Sequence, residues 1–335
     1  MTLHKPDQPQ EDHFTDSALR PNIWKEYIGQ DAIKENITLL IKAARERNEP
    51  VEHLFFHGPP GLGKTTLAYL VAREMNTQIK TTSGPAIERV GDLASLLTNL
   101  SPNDILFIDE IHRLNKAIEE VLYPALENRT IDIIIGKGPG ARSIQLELPP
   151  FTLIAATTRV SLLSSPLRSR FSGGTFRLQY YTEDEIQKII QRSSRILNIP
   201  LDAQASFAIA KRSRATPRVA NRLLKRCRDY AQVHGYTRIT KEVTENTLRM
   251  LGVDEKGLED SDRRVLAILI EKFGGGPVGV QTLAAATSEE AATIEEVYEP
   301  YLLRLGFIER TPRGRLATEA AWNHLKKNPP QKTLL

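Results

Sequence analysis

The chain has 335 residues, 40% of them hydrophobic and 26% charged, with a formal net charge of +4. That balance belongs to a globular protein of two or three domains and excludes a disordered tail or a peptide hormone. No run approaches the roughly 18 consecutive apolar residues of a membrane helix, and the polar start MTLHKPDQPQEDHFTDSALR lacks the regions of a signal peptide, so a cytoplasmic protein is expected. A single cysteine, Cys227, forms no internal disulfide, and seven scattered histidines show no zinc-ligand spacing. Residues 181–255 hold 14 basic and 9 acidic side chains, against 20 and 21 in residues 1–180 and 11 each in residues 256–335. Contact with nucleic acid must therefore come from local patches.

Residues 1–18 are rich in Pro, Gln, Asp and Glu and read as a flexible tail. From Asp31 to about Arg47, Ile33, Ile37, Leu40, Ile41 and Ala44 recur at helical spacing. Short apolar runs then alternate with helical stretches: LFFHG, a helix from Lys64 to about Glu74, QIKTTSG, a helix near Gly91 to Leu100, ILFIDE, a helix near Lys116 to Leu126, and FTLIAATT. This is the rhythm of an α/β domain with a parallel sheet covered by helices. Within it, residues 131–146 read as a projecting hairpin with a glycine-rich tip. From Thr182, an N-cap followed by an acidic first turn, to residue 255 the pattern is all-helical and reads as a small domain. Residues 256–328 give three helices and a β-like pair, the outline of a winged helix, and residues 329–335 a tail. The first domain is taken as residues 19–181.

Gly58-Pro59-Pro60-Gly61-Leu62-Gly63-Lys64-Thr65 fits G-x-x-x-x-G-K-[ST] between a strand and a helix. Such a loop turns consecutive N–H groups towards phosphates, with Lys64 meeting the β and γ phosphates and the Thr65 hydroxyl meeting Mg²⁺. The strand ILFI ends in Asp109-Glu110, expected as the metal-side carboxylate and the general base. Thr157 and Thr158 end FTLIAATT at the same sheet edge and offer hydroxyls to the γ-phosphate or the lytic water. SPLRSRF and ATPR present arginines, among them Arg170 and Arg218, of the kind that stabilise a transferring phosphoryl group.

The segments LRPNIWKEYIGQ, GPPGLGKTT, ILFIDEIHRL, LPPFTLIAATTR, SPLRSRF, ATPRVANRLL, FGGGPVG and GFIERTPRGR, in this order, closely resemble the RuvB family of AAA+ ATPases. The resemblance runs from about Leu19 to about Leu325. It implies an AAA+ P-loop domain, a helical lid and a winged-helix domain, with ATP and Mg²⁺ as cofactors and branch migration of Holliday junctions in recombination and repair as the activity. The implied partners are double-stranded DNA, RuvA, the resolvase RuvC and further copies in a hexameric ring. By the same resemblance Leu19, Arg20, Tyr27 and Ile28 pack on the adenine. Gly61, Gly63, Lys64, Thr65 and Thr66 hold phosphate and magnesium, and Asp109 with Glu110 are the hydrolytic pair. Thr158 is the first sensor, Arg170 the finger offered to a neighbouring subunit, Tyr181 a pocket tyrosine and Arg218 the second sensor. The 131–146 hairpin, through Ile133, Ile134 and Ile135, docks RuvA, and Arg310 and Arg315 touch DNA phosphates. The sequence departs from the family pattern at Ser172–Phe176, at Ala215 where glycine is usual, and near Ala291 where a basic residue is frequent. A clamp-loader-like or protein-remodelling ATPase is the alternative. A transcription regulator is disfavoured by Glu289, Glu290, Glu295, Glu296 and Glu299, which a groove-reading helix tolerates poorly.

Overall fold

The computed structural model describes residues 18–135 and 142–327, with backbone only for 133–135 and 142–143. The expected tails, the hairpin tip and the side chains of Ile133, Ile134 and Ile135 lie outside the described residues. The chain divides into two compact units, one of residues 1–189 with 216–218 and one of residues 190–215 with 219–335.

In the first unit, α1 (Asp31–Arg47) buries Ile33, Ile37, Ile41 and Ala44 along one face. The strands are β1 (Leu54–His57), β2 (Ile79–Ser83), β3 (Ile105–Asp109), β4 (Thr130–Ile135), β5 (Arg142–Glu147), β6 (Thr152–Thr157) and β7 (Gly174–Arg177). Five of them form a parallel sheet in the order β2-β3-β6-β1-β7. Every residue of β6 is buried, as are Leu54, Phe55, Phe56 and Ile105 to Ile108. The expected burial on both faces thus holds for β1, β3 and β6, whereas β2, at the edge of the sheet and carrying Lys80, has no buried residue. Helices α2 (Lys64–Met75), α3 (Val90–Thr98) and α4 (Lys116–Glu127) make the crossovers. In α4, Ile118, Leu122, Ala125 and Leu126 turn into the same core as Phe55, Leu106 and Leu153. β4 and β5 pair antiparallel as a separate two-stranded ribbon, Ile133 opposite Ile144.

Strand β7 has no counterpart in the sequence reading. Glycine and serine hide it: a Cβ on Gly173 would lie 2.8 Å from Leu54 Cδ2 and 3.0 Å from the Glu52 carbonyl, so the residue's lack of a side chain admits the strand beside β1. The Ser172–Phe176 departure therefore builds the sheet's edge. After the short α5 (Ser165–Arg168), the neighbouring Phe171 stacks on Phe55 of β1 with ring centroids 5.0 Å apart.

Thr182 and Glu185 form a reciprocal cap at the start of α6 (Glu183–Ile196): the Thr182 N–H donates to Glu185 Oε2 at 2.7 Å and the Glu185 N–H to Thr182 Oγ1 at 3.2 Å. α7 (Ala203–Arg212), α8 (Pro217–Val233) and α9 (Lys241–Met250) follow. The second unit continues with α10 (Asp260–Glu271), α11 (Val280–Thr287), α12 (Ala291–Thr293), a π turn over Ile294–Tyr298, and α13 (Glu299–Arg304). The hairpin of β8 (Ile308–Thr311) and β9 (Gly314–Ala317) and a final α14 (Glu319–His324), absent from the sequence reading, complete it. Leu266, Leu269, Leu283, Ile294, Leu302 and Phe307 share one core, the packing of a winged helix. Among the described residues no helix is long and apolar enough to cross a membrane.

Cys227 lies fully buried on α8, and burial pushes its thiol up to about 12. A thiol reagent at about pH 8 is expected to modify the native chain at least about a hundredfold more slowly than the denatured chain. Equal rates would show that α8 opens readily.

Candidate functional site

The register of the parallel strands brings three separate sequence signals to one edge. His57 pairs with Thr157, and Ile108 with Ala155, so the loop after β1, the acids after β3 and the threonines ending β6 all leave the sheet on its carboxyl side. That edge is where ligands bind in open parallel sheets.

The phosphate loop leads straight into α2. Gly63, its last glycine, has φ +98, and a Cβ there would lie 3.0 Å from Tyr27 Oη. The Lys64 side chain curls over the loop, donating to the Gly58 carbonyl at 2.8 Å and the Pro59 carbonyl at 3.0 Å. Burial draws its ammonium below the usual lysine range, Glu110 and Asp109 oppose that shift, and Arg218 adds to it. Thr65 Oγ1 donates to Asp109 Oδ2 at 3.4 Å. A hydroxyl and a carboxylate so placed are hard oxygen donors that fit a hydrated Mg²⁺ arriving with phosphate oxygens.

Glu110 takes a left-handed backbone, φ +48, at the turn that follows β3. Its Oε2 accepts from the Thr158 N–H at 3.2 Å and from Thr158 Oγ1 at 3.1 Å. His112 Nδ1 lies 3.2 Å from the same oxygen and 2.8 Å from Thr157 Oγ1. Beside the loop, Tyr181 Oη donates to the Leu62 carbonyl at 3.1 Å and accepts from Tyr27 Oη at 3.3 Å. Burial drives the Tyr181 phenol up to about 12 and also raises that of Tyr27 well above the ordinary tyrosine value. Both segments are fixed by Gln30, whose amide donates to the Gln179 carbonyl at 2.7 Å and accepts from its N–H at 3.0 Å. Leu19 is buried, Ile28 and Thr66 are half-buried, and Arg20 is exposed with its guanidinium over the Tyr69 ring.

Arg218, exposed at the start of α8, donates its N–H to the Gly61 carbonyl at 3.4 Å. The turn before it contains two left-handed residues, Arg214 at φ +55 and Ala215 at φ +53. The alanine at the second departure therefore carries about 1 kcal/mol of strain that glycine would not.

Arg170 is folded onto its own chain. Its guanidinium lies 4.3 Å from the centre of the Tyr123 ring, meets Glu127 at 3.0 Å and donates to the Pro166 carbonyl at 2.6 Å. The Nε–H, buried, has no hydrogen-bond partner among the described residues. Sequence reasoning found the arginine and missed Tyr123 and Glu127, whose i, i+4 spacing on α4 is the only signal they carry. It quoted His112 within the acidic strand's motif and gave it no role.

In the second unit, the wing differs from the sequence count. Residues 304–315 hold four arginines against Glu309, but Glu299, fully buried on α13, pairs with both Arg310 and Arg315, and Glu295 Oε1 holds Arg315 Nη2 at 2.9 Å. Four arginines thus face three carboxylates. Arg310 and Arg315 stand directly opposite across the hairpin, an arrangement of like charges that the buried carboxylate between them makes tolerable. Arg315, expected at the surface, is turned inwards with 13% of its side chain exposed, whereas Arg310 is 52% exposed. Arg313 at the tip is exposed, with no side-chain hydrogen bond or ion pair among the described residues.

Gly63→Ala tests the cradle. A left-handed alanine costs about 1–2 kcal/mol and its methyl crowds Tyr27, so affinity for a fluorescent ATP analogue is expected to fall about tenfold. Unchanged affinity would show that Tyr27 yields freely.

Comparisons with known proteins agree along the whole chain. The family models of the Holliday junction DNA helicase RuvB P-loop domain, the RuvB AAA lid domain and the RuvB C-terminal winged helix domain match residues 19–178, 181–254 and 255–326. Relatives from two strains of Chloroflexus aurantiacus, described as Holliday junction branch migration complex subunit RuvB, are 54% identical over 332 residues, covering 99% of this chain and 95% of theirs. The solved structure of the Thermotoga maritima RuvB Holliday junction branch migration motor is 47% identical with a TM-score of 0.86, over 93% of this chain and 100% of that one. With its phosphate loop, acidic pair and Thr158 gathered on one sheet edge and a winged helix following the lid domain, the chain belongs to the RuvB family.

Proposed function

We infer that the chain is the ATP-hydrolysing motor subunit of a Holliday junction branch migration complex. The observation that carries this reading is the meeting of the phosphate loop, Asp109, Glu110, Thr158 and Arg218 at one sheet edge, in a chain that matches RuvB from end to end.

ATP enters with its phosphates on the N–H groups of the loop and the Lys64 ammonium. Leu19, Arg20, Tyr27, Ile28 and Tyr181 form the adenine side, and Gly61, Gly63 and Thr66 complete the phosphate contacts. Thr65 and Asp109 are the residues to hold Mg²⁺, which when bound offsets phosphate charge and aligns the γ-phosphate. Glu110 takes the proton of the attacking water, and Thr158, bonded to the same carboxylate, reports the γ-phosphate to it. Arg170 reaches a neighbouring copy's nucleotide by leaving Glu127 and Tyr123, which requires assembly into a ring, by family resemblance a hexamer. Arg218 carries the nucleotide's state into α8.

Double-stranded DNA at the junction is held by phosphate contacts from the wing, which suit a motor that passes over any sequence. Arg310 and Arg313 are exposed for this contact, and Arg315 reaches a phosphate by exchanging its Glu295 partner. The 131–146 hairpin, with Ile133, Ile134 and Ile135, is the docking element for RuvA, and RuvC acts on the same junction. These roles place the protein in the bacterial cytoplasm.

Lys64→Ala is expected to abolish ATP binding. Glu110→Gln is expected to bind ATP while losing at least about 10²-fold in turnover. Mixing Lys64→Ala with Arg170→Ala chains should restore part of the hydrolysis that neither has alone, because each supplies what the other lacks; no restoration would remove the finger role. For the wing, Arg310→Ala should lower the log–log salt slope of duplex binding by about 0.9 per subunit in contact. ATP-dependent migration of a synthetic four-way junction, with and without RuvA, tests the whole reading: hydrolysis without junction movement would leave an ATPase with another substrate.

A further inference from the structure

His112 sits on the short turn Ile111–Arg113 that follows Glu110, with 6% of its side chain exposed. Its Nδ1 has two oxygen neighbours, Thr157 Oγ1 at 2.8 Å and Glu110 Oε2 at 3.2 Å. Thr157 Oγ1 accepts the Arg159 N–H at 3.0 Å, so the hydroxyl is already oriented by the backbone. An ionised carboxylate offers only lone pairs. An unprotonated Nδ1 would set its own lone pair against that of Oε2, so the field of Glu110 selects the tautomer with the proton on Nδ1. That proton then lies between Thr157 and Glu110.

The consequence falls on one carboxylate oxygen. Oε2 faces the Thr158 N–H, the Thr158 hydroxyl and the His112 ring, three hydrogen-bearing groups. Oε1 has no hydrogen-bond partner among the described residues, and the Glu110 side chain is 33% exposed. The Glu110 backbone is fixed as firmly: it is left-handed, and a Cβ on Gly84 would come within 2.4 Å of its carbonyl oxygen, so the end of β2 presses directly on the turn.

We propose that His112 is a positioning residue for Glu110, its ring oriented by Thr157, holding Oε2 so that Oε1 is the atom that takes the proton from water. The inference rests on the reading of Glu110 as the general base. Thr158 holds the carboxylate through bonds that must loosen when its hydroxyl turns to a γ-phosphate, and His112 keeps it in place at that moment. No covalent bond is formed or broken by His112 itself; its ring stays beside Oε2 before and after the proton transfer.

The test uses the full-length chain with three substitutions, reading ATP affinity, KM and kcat separately. His112→Leu is expected to leave ATP affinity within about twofold while lowering kcat by about 10- to 100-fold, the loss typical when a group that orients a functional side chain is removed. His112→Asn, whose amide nitrogen falls near Nδ1, should recover most of kcat, and His112→Gln, whose amide falls near Nε2, should not. Wild-type kcat in His112→Leu, equal behaviour of Asn and Gln, or a loss of affinity matching the loss of kcat would each overturn the proposal. If His112→Leu melts far below the parent, the Asn and Gln pair decides alone. Glu110→Gln serves as the control that separates the two readings. Full turnover there removes the base itself, whereas lost turnover there with unimpaired His112→Leu removes only the positioning role.

Discussion

Parallel pairing of β1 with β6, and of β6 with β3, is the constraint on which the site depends. Parallel strands all point their carboxyl ends to one side, so residues about 50 and 100 positions apart in the chain meet without any loop having to find another. The apolar runs that make these strands are buried on both faces, and a slip of one residue would exchange the two faces and take Phe55 and Ile108 out of the helix layer they pack against. Burial thus holds Asp109, Glu110 and Thr158 in register with the phosphate loop. Stability and catalytic geometry rest on the same hydrogen bonds.

The charges at that edge balance across short distances. Lys64 is buried beside two carboxylates and leans on the loop's own carbonyls. The wing repeats the principle in the other unit, where one buried glutamate joins two arginines that would otherwise repel across the hairpin. Both clusters balance cationic side chains against nearby carboxylates. A buried pair of this sort adds little stability in itself, but removing one member leaves the other uncompensated.

Much of this was legible in the sequence because periodicity and motif agree. The bounds of α1 follow from its apolar spacing, and the phosphate loop announces the strand before it and the helix after it. Strand β7 was hidden because its entry depends on the close approach of Gly173 to Leu54, a tertiary fact that local composition reads as a turn. The neutralisation of the wing was hidden for a similar reason: Glu299 lies 11 and 16 residues from its partners and looks like one more acid on a polar helix. His112 lay inside a quoted motif, yet its meaning comes from the Thr157 hydroxyl 45 positions away.

The strand that composition concealed also ties two distant duties together. Arg170 lies three residues before Gly173, whose N–H donates to the His53 carbonyl at 3.0 Å, and β7 then runs beside β1 to the point where β1 opens into the phosphate loop. On the proposed reading, the guanidinium lent to a neighbour and the loop that grips the chain's own nucleotide are therefore fastened to the two ends of one ladder. In the proposed ring, a displacement at either end would be passed along the backbone hydrogen bonds that join β7 to β1.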